Sequence, residues 1–235
     1  MKRIIGILFS FLLLVCFSVS GALSAQQFDD ENNFSITPLD GGSVMIIGHL
    51  GSGPEVHIPP SIQGMPVTAI GEGAFQNSRL TSVTIPNSVR IIGDNAFAGN
   101  RIASITLPPS LSRIGERAFD GNHLGVANIP DSVIMIGNRA FSNNRLTSIT
   151  LPNNMTTVGD QAFQNNRLDH VTIPNGMITI GSQAFRGNGI ATITICANVQ
   201  IDSTSFGNNF HVFYNSNRQA AGVYRWGGRE WSFEG

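Results

Sequence analysis

The residues able to do chemistry are few and poorly spaced for it. Five histidines (His49, His57, His123, His170, His211) recur at no common interval. No two stand at the i, i+4 separation that sets two ligands on one helix face. No G-x-S-x-G, phosphate-loop or H-E-x-x-H pattern occurs either. Cys16 lies in an apolar leader, and Cys196 near the far end has no histidine close by, so a disulfide framework or a cysteine-based zinc site is ruled out. Glu72, Asp94, Glu116 and Asp160 fall in one column at multiples of 22 residues, interrupted by Asn138. Carboxylates stacked about 5 Å apart could serve acid–base work or Ca²⁺, but repeated turn acids are usually just solvated. The reading is therefore of a non-enzyme, with no catalytic residue, metal ligand or cofactor.

Two other columns suit binding better. Arg79, Arg101, His123, Arg145 and Arg167 (then Gly189) stand just before successive strands and would form a cationic rim. Such a rim would attract acidic protein segments, sulfated glycans or anionic surfaces, unless each guanidinium is spent on a neighbouring carbonyl or on an acid such as Asp169. The second set faces off the strands: Ser82, Ser104, Val126, Ser148, His170, and two residues on Thr84, Thr106, Asn128, Thr150, Thr172. It reads as a flat hydroxyl face, soluble and β-prone, with Val126, Asn128 and His170 as departures on which recognition could centre.

These columns exist because the chain repeats. Phe75, Phe97, Phe119, Phe141, Phe163 and Phe185 are 22 residues apart, as are Gly71 to Gly181 and Pro86 to Pro174 in the same steps. A fixed short period signals a solenoid, in which a unit cannot bury its own faces and needs its neighbours. In the unit Leu146–Arg167, Leu146, Ile149 and Leu151 follow L-x-x-L-x-L, with Ser148 and Thr150 on the opposite side of a short strand. Pro152 ends ladder pairing. Met155 and Val158 return the chain inward, and Gly159 either takes positive φ or lets a backbone pass closely. Ala162 and Phe163 fill the wedge between units. The column Asn100, Asn122, Asn144, Asn166, Asn188 is read as structural, satisfying backbone groups of the adjacent coil.

Lys2 and Arg3 followed by the apolar run Ile4–Val15 and a small-residue stretch ending near Ala25 have the parts of a secretory signal peptide, residues 1–25. Even extended to Val19 the run is short of the roughly 20 residues a bilayer requires, so no membrane span is expected in the mature chain. Leu14-Val15 is a poor lead-in for lipidation at Cys16. Without the leader, 12 arginines face 15 acids and no lysine remains. That balance argues against a nucleic-acid partner. Residues 26–65 read as a tail and capping hairpin turning at Asp40–Gly42, residues 66–209 as six full units and a partial one, and residues 210–235 as an aromatic cap. In that cap a Gly-Gly hairpin carries Tyr224, Trp226 and Trp231, which with Tyr214 seal the last coil.

Units such as Ile-Pro-Asn-Ser-Val-Arg-Ile-Ile-Gly-Asp-Asn-Ala-Phe97, the opening Ile62–Phe75 and the Ala-Gly-Val-Tyr…Trp231 ending resemble the BspA-like, or treponemal-class, leucine-rich repeats. The resemblance covers about residues 34–233. It implies a mainly β, right-handed leucine-rich-repeat superhelix of 22-residue repeats, with a parallel concave sheet, few helices and hairpin-like caps. It also implies an exported bacterial scaffold that binds a protein partner by surface complementarity, as in adhesion to host matrix or cell-surface proteins. The alternative is an envelope or periplasmic scaffold docking onto other envelope proteins. Function on such a scaffold lives in the variable surface columns, so the partner does not carry over with the fold.

Overall fold

The computed structural model describes residues 27–234, so the leader and Cys16 lie outside the described residues. The chain winds as a β-solenoid whose coils are joined on three sides. On the first side, two-residue strands at Ile91–Ile92, Arg113–Ile114, Met135–Ile136, Thr157–Val158, Thr179–Ile180 and Gln200–Ile201 pair in parallel without a break. This sheet begins at Met65–Ile70 and at the antiparallel hairpin Phe34–Leu39/Ser43–His49. Its continuity has a local cause. A Cβ on Gly115 would stand 2.5 Å from the Gly93 carbonyl carbon, and one on Gly137 2.7 Å from that of Gly115. The glycine column therefore serves the close backbone approach, not a positive φ.

The second side is the phenylalanine turn. Each Phe N–H donates to the alanine carbonyl of the next coil, from Phe75 to Ala96 and onward to Ala184, at 2.8 Å. From Phe75 to Phe185 the rings stack at 5.1–5.6 Å and within 14° of parallel. The left-handed backbone of this turn falls on Asn95, Arg117, Arg139, Gln161 and Gln183, with φ of 51–56°. A side chain there costs about 1–2 kcal/mol, and the inter-coil hydrogen bonds on either side hold it.

The third side carries the Ser-x-Thr segments, where the sequence predicts the parallel strand. They are extended but pair only in places: Glu55–His57 with Ser82–Thr84, Val126–Asn128 with Ser148–Thr150, and His170–Thr172 with Thr192–Ile195. Ser104–Thr106 pairs with neither neighbour. The expected parallel sheet is present, but its unbroken form lies further along each unit. The residues read only as returning inward make it. No residue on the third side forces the coils together as the glycine column does on the first.

The asparagine column is saturated, and buried from Asn100 to Asn166, with Asn188 half-buried at its end. Asn144 Oδ1 accepts from Leu124 N–H at 3.0 Å, while Nδ2 donates to the carbonyls of Phe119 (2.9 Å) and Phe141 (3.2 Å). Asn100, Asn122, Asn166 and Asn188 repeat the pattern. Each proline carbonyl from Pro86 to Pro174 accepts the N–H three residues on. In the last coil Cys196 replaces the proline, and the Tyr214 hydroxyl bridges the same turn. It donates to Cys196 O at 2.7 Å and accepts from Val199 N–H at 3.2 Å. Tyr214 comes from a helix, Phe210–Ser216, that the sequence pattern does not show. The hairpin Gly222–Trp226/Trp231–Glu234 then adds two antiparallel strands to Thr192–Ile195.

Candidate functional site

The arginine column is anchored through its backbone. Arg101, His123, Arg145 and Arg167 donate their N–H groups to Leu80, Ile102, Leu124 and Leu146 of the preceding coil at 2.8–3.0 Å. The bonds hold one such residue on each successive coil. Arg79, Arg101, Arg145 and Arg167 are exposed, and His123 is half-buried. Among the described residues the arginine side chains that hydrogen-bond a partner are Arg139 and Arg225, and Arg117 makes only a 4.0 Å ion pair with Glu116. The four guanidinium groups of the column are thus spent neither on carbonyls nor on Asp169. Asp169 instead takes His170: its Oδ1 lies 2.6 Å from His170 Nδ1, a hydrogen bond that holds the carboxyl below the usual carboxylate range.

The hydroxyl face points outward along its length. Ser82, Thr84 and Ser148 are half-exposed, and Ser104, Thr106, Val126, Asn128, Thr150, His170 and Thr172 are exposed. Where the third-side ladder opens between Ser82–Thr84 and Ser104–Thr106, a groove of about 590 Å³ reaches Ile85 and Ile105, with Phe28 and Pro60 at its edge. The departures Val126 and Asn128 belong to the neighbouring paired strand, not to this groove.

The acid column departs from the expectation of mere solvation. Asp94 accepts the Glu116 N–H, Asn138 that of Asp160, and Asp160 that of Ser182, all at 2.8–2.9 Å. Asp94, Asn138 and Asp160 share a short side-chain carbonyl that reaches the next coil's N–H, so Asn138 serves there as a carboxylate does, whereas the longer Glu72 and Glu116 accept no such bond. Among the described residues no group of three His, Cys, Asp or Glu could hold a metal ion. No described helix is long and apolar enough to cross a membrane. Cys196 is free, with its Sγ 3.2 Å from Pro174 O.

Sequence reasoning missed the outer face of the continuous sheet. Ile91, Ile134, Met135 and Ile178 stand there 43–64% exposed, beside Arg90 and Arg113. The signal was available: the columns containing Arg90, Ser112 and Thr156 are polar, and Ile134 and Ile178 interrupt them.

Coils of this length, in-register pairing and stacked asparagine and phenylalanine ladders define a leucine-rich-repeat protein. Residues 100–213 match the model of the BspA type leucine rich repeat region in six copies, and that stretch of the repeat array is of that type. A leucine rich cell surface protein from Faecalibacterium prausnitzii A2-165 is 21% identical with a TM-score of 0.55, covering 89% of this chain and 61% of its own. The pneumococcal vaccine antigen PcpA is 23% identical with a TM-score of 0.59, covering 73% of this chain and 50% of its own. The chain therefore spans less than two thirds of either relative, and at these identities the likeness is one of fold. No curated protein matches the chain.

Proposed function

We propose that the protein is an exported, non-catalytic scaffold that binds host matrix or cell-surface proteins through its arginine column and the hydroxyl face beside it. The observation that carries this reading is the set of four exposed, unpartnered guanidinium groups held in register as two adjacent-coil pairs, Arg79/Arg101 and Arg145/Arg167, on either side of His123. Like charges about 5 Å apart repel by roughly 1 kcal/mol per pair even in water. An acidic partner segment relieves that repulsion within both arginine pairs and gains planar, two-pronged hydrogen bonds to its carboxylates. The Ser and Thr hydroxyls next to the rim supply donors and acceptors that need no charge partner. Export is supported by the leader-like residues 1–25 and agrees with the cell surface protein among the solved relatives.

The test compares the purified protein with a variant in which Arg79, Arg101, Arg145 and Arg167 are all changed to Gln, on immobilised extracellular-matrix proteins. Binding of the variant is expected to fall at least tenfold at low salt, with a shallower salt dependence. Equal binding and equal salt dependence would dismiss the rim. Proteolysis of intact cells separates a surface adhesin, which is cleaved, from an envelope scaffold, which is spared.

A further inference from the structure

The cap at the C-terminal end of the solenoid carries a shallow, open recess that neither the rim nor the hydroxyl face explains. It has a volume of about 270 Å³ and lies between the helix Phe210–Ser216 and the terminal hairpin. Val212, Phe213, Trp226 and Trp231 wall it, the two indoles 5.5 Å apart and inclined at 51°. Trp231 is held by its Nε1–H donating to Asn208 O at 3.1 Å, and the Trp226 N–H donates to Ala191 O at 2.8 Å. The Trp231 indole is therefore fixed against the start of the terminal helix, and the Trp226 backbone is tied to the last coil. Trp226 is half-buried, with part of its ring open to the recess.

Around this apolar wall stand four planar polar side chains, Asn208, Asn209, Arg229 and Glu230. All four are exposed, and none has a side-chain hydrogen bond among the described residues. Their chemistry narrows the occupant. An anion would meet Glu230, and a cation would meet Arg229. A purely apolar group would strip water from all four without replacing a hydrogen bond. What remains is a neutral molecule with one apolar face and a rim of donors and acceptors. The volume lies just below the range of drug-sized pockets, which suits one ring and not a long chain. We infer that the C-terminal cap is a binding site for a neutral pyranose, the C–H face of the sugar lying on Trp226 and its hydroxyls bonding Asn208, Asn209, Arg229 and Glu230. This site does not depend on the arginine column.

Trp226 and Trp231 are the only tryptophans in the sequence, so intrinsic emission reports the recess directly. The purified full chain would be titrated with methyl glucoside, methyl galactoside and N-acetylglucosamine. A saturable emission change is expected with at least one of them, half-complete at about millimolar concentration for so small a ligand. Trp226→Ala is expected to abolish it. Because that change could loosen the cap, the double variant Arg229→Ala/Glu230→Gln, at positions without left-handed backbone, is the second arm. It touches only exposed groups and is expected to weaken the sugar at least fivefold with unchanged melting. The four-arginine variant is expected to keep the full response. No response to any of the three sugars overturns the inference, as does undiminished binding in the double variant. Saturation by N-acetylphenylalaninamide but by no sugar also overturns it, since the recess would then take a protein side chain.

Discussion

Asn144 shows what one repeated residue contributes. Its amide closes three backbone groups that face away from water, and no other side chain of that size offers an acceptor and two donors in one plane. Asn144→Ala leaves Leu124 N–H without a partner, while the Phe119 and Phe141 carbonyls keep Asn122 and Asn166, and is expected to destabilise the fold by roughly 1–3 kcal/mol in urea unfolding. Glycine makes an equally local prediction. Gly137→Ala drives a Cβ to 2.6 Å from Glu116 N and is expected to cost several kcal/mol or abolish folding. Gly125→Ala meets nothing within 4 Å and is expected to change stability by less than about 1 kcal/mol. Equal effects of the two glycine changes would refute the close-approach role of the column.

Elements differ in how much of them the sequence displays. The repeating units and both hairpins are legible because periodicity and Gly-rich turns are local signals. The helix Phe210–Ser216 is not, since its seven residues are too few to set a helical period and it is held by what it covers. Tyr214 and Tyr224 are fully buried there, packed with Phe210 at 5.3–5.9 Å. Burial pushes the Tyr224 phenol up to about 12 and raises that of Tyr214. In the unfolded chain a tyrosine ionises near pH 10. The neutral, buried phenols therefore stabilise the cap fully below that pH, and the contribution is lost as pH rises from about 10 toward 12. The sequence has no other tyrosine, so phenolate absorbance is expected to appear only above pH 10 and together with cap opening. A single transition near pH 10 with an intact near-UV spectrum would contradict this.

At the scale of the molecule, each coil is stabilised mainly by the two beside it. Removing one full period, residues 125–146, joins Leu124 to Thr147 and keeps every column in register. The shortened chain is expected to fold with the same far-UV spectrum and a lower melting temperature. Removing half a period, residues 125–135, places Phe141 beside non-equivalent positions and is expected to unfold the array. A half-period deletion as stable as the full one would show that the stacked columns do not hold the molecule together. Circular dichroism and solution scattering read both outcomes.

The sequence by itself determined the solenoid, its period, the buried columns and that the arginine and hydroxyl columns face out, because a 22-residue repeat makes every coil's environment the same and local pattern is enough. It did not decide which side of the coil carries the unbroken sheet, that the acid column caps backbone N–H groups, or that the arginines stand unpartnered beside it. Those depend on how closely neighbouring coils approach. Glycine draws them together on one side, and the hydroxyl side lets the ladder open. The recess between the terminal helix and hairpin was likewise settled only in three dimensions, by elements whose residues lie up to 23 positions apart in the chain, as Asn208 and Trp231 do.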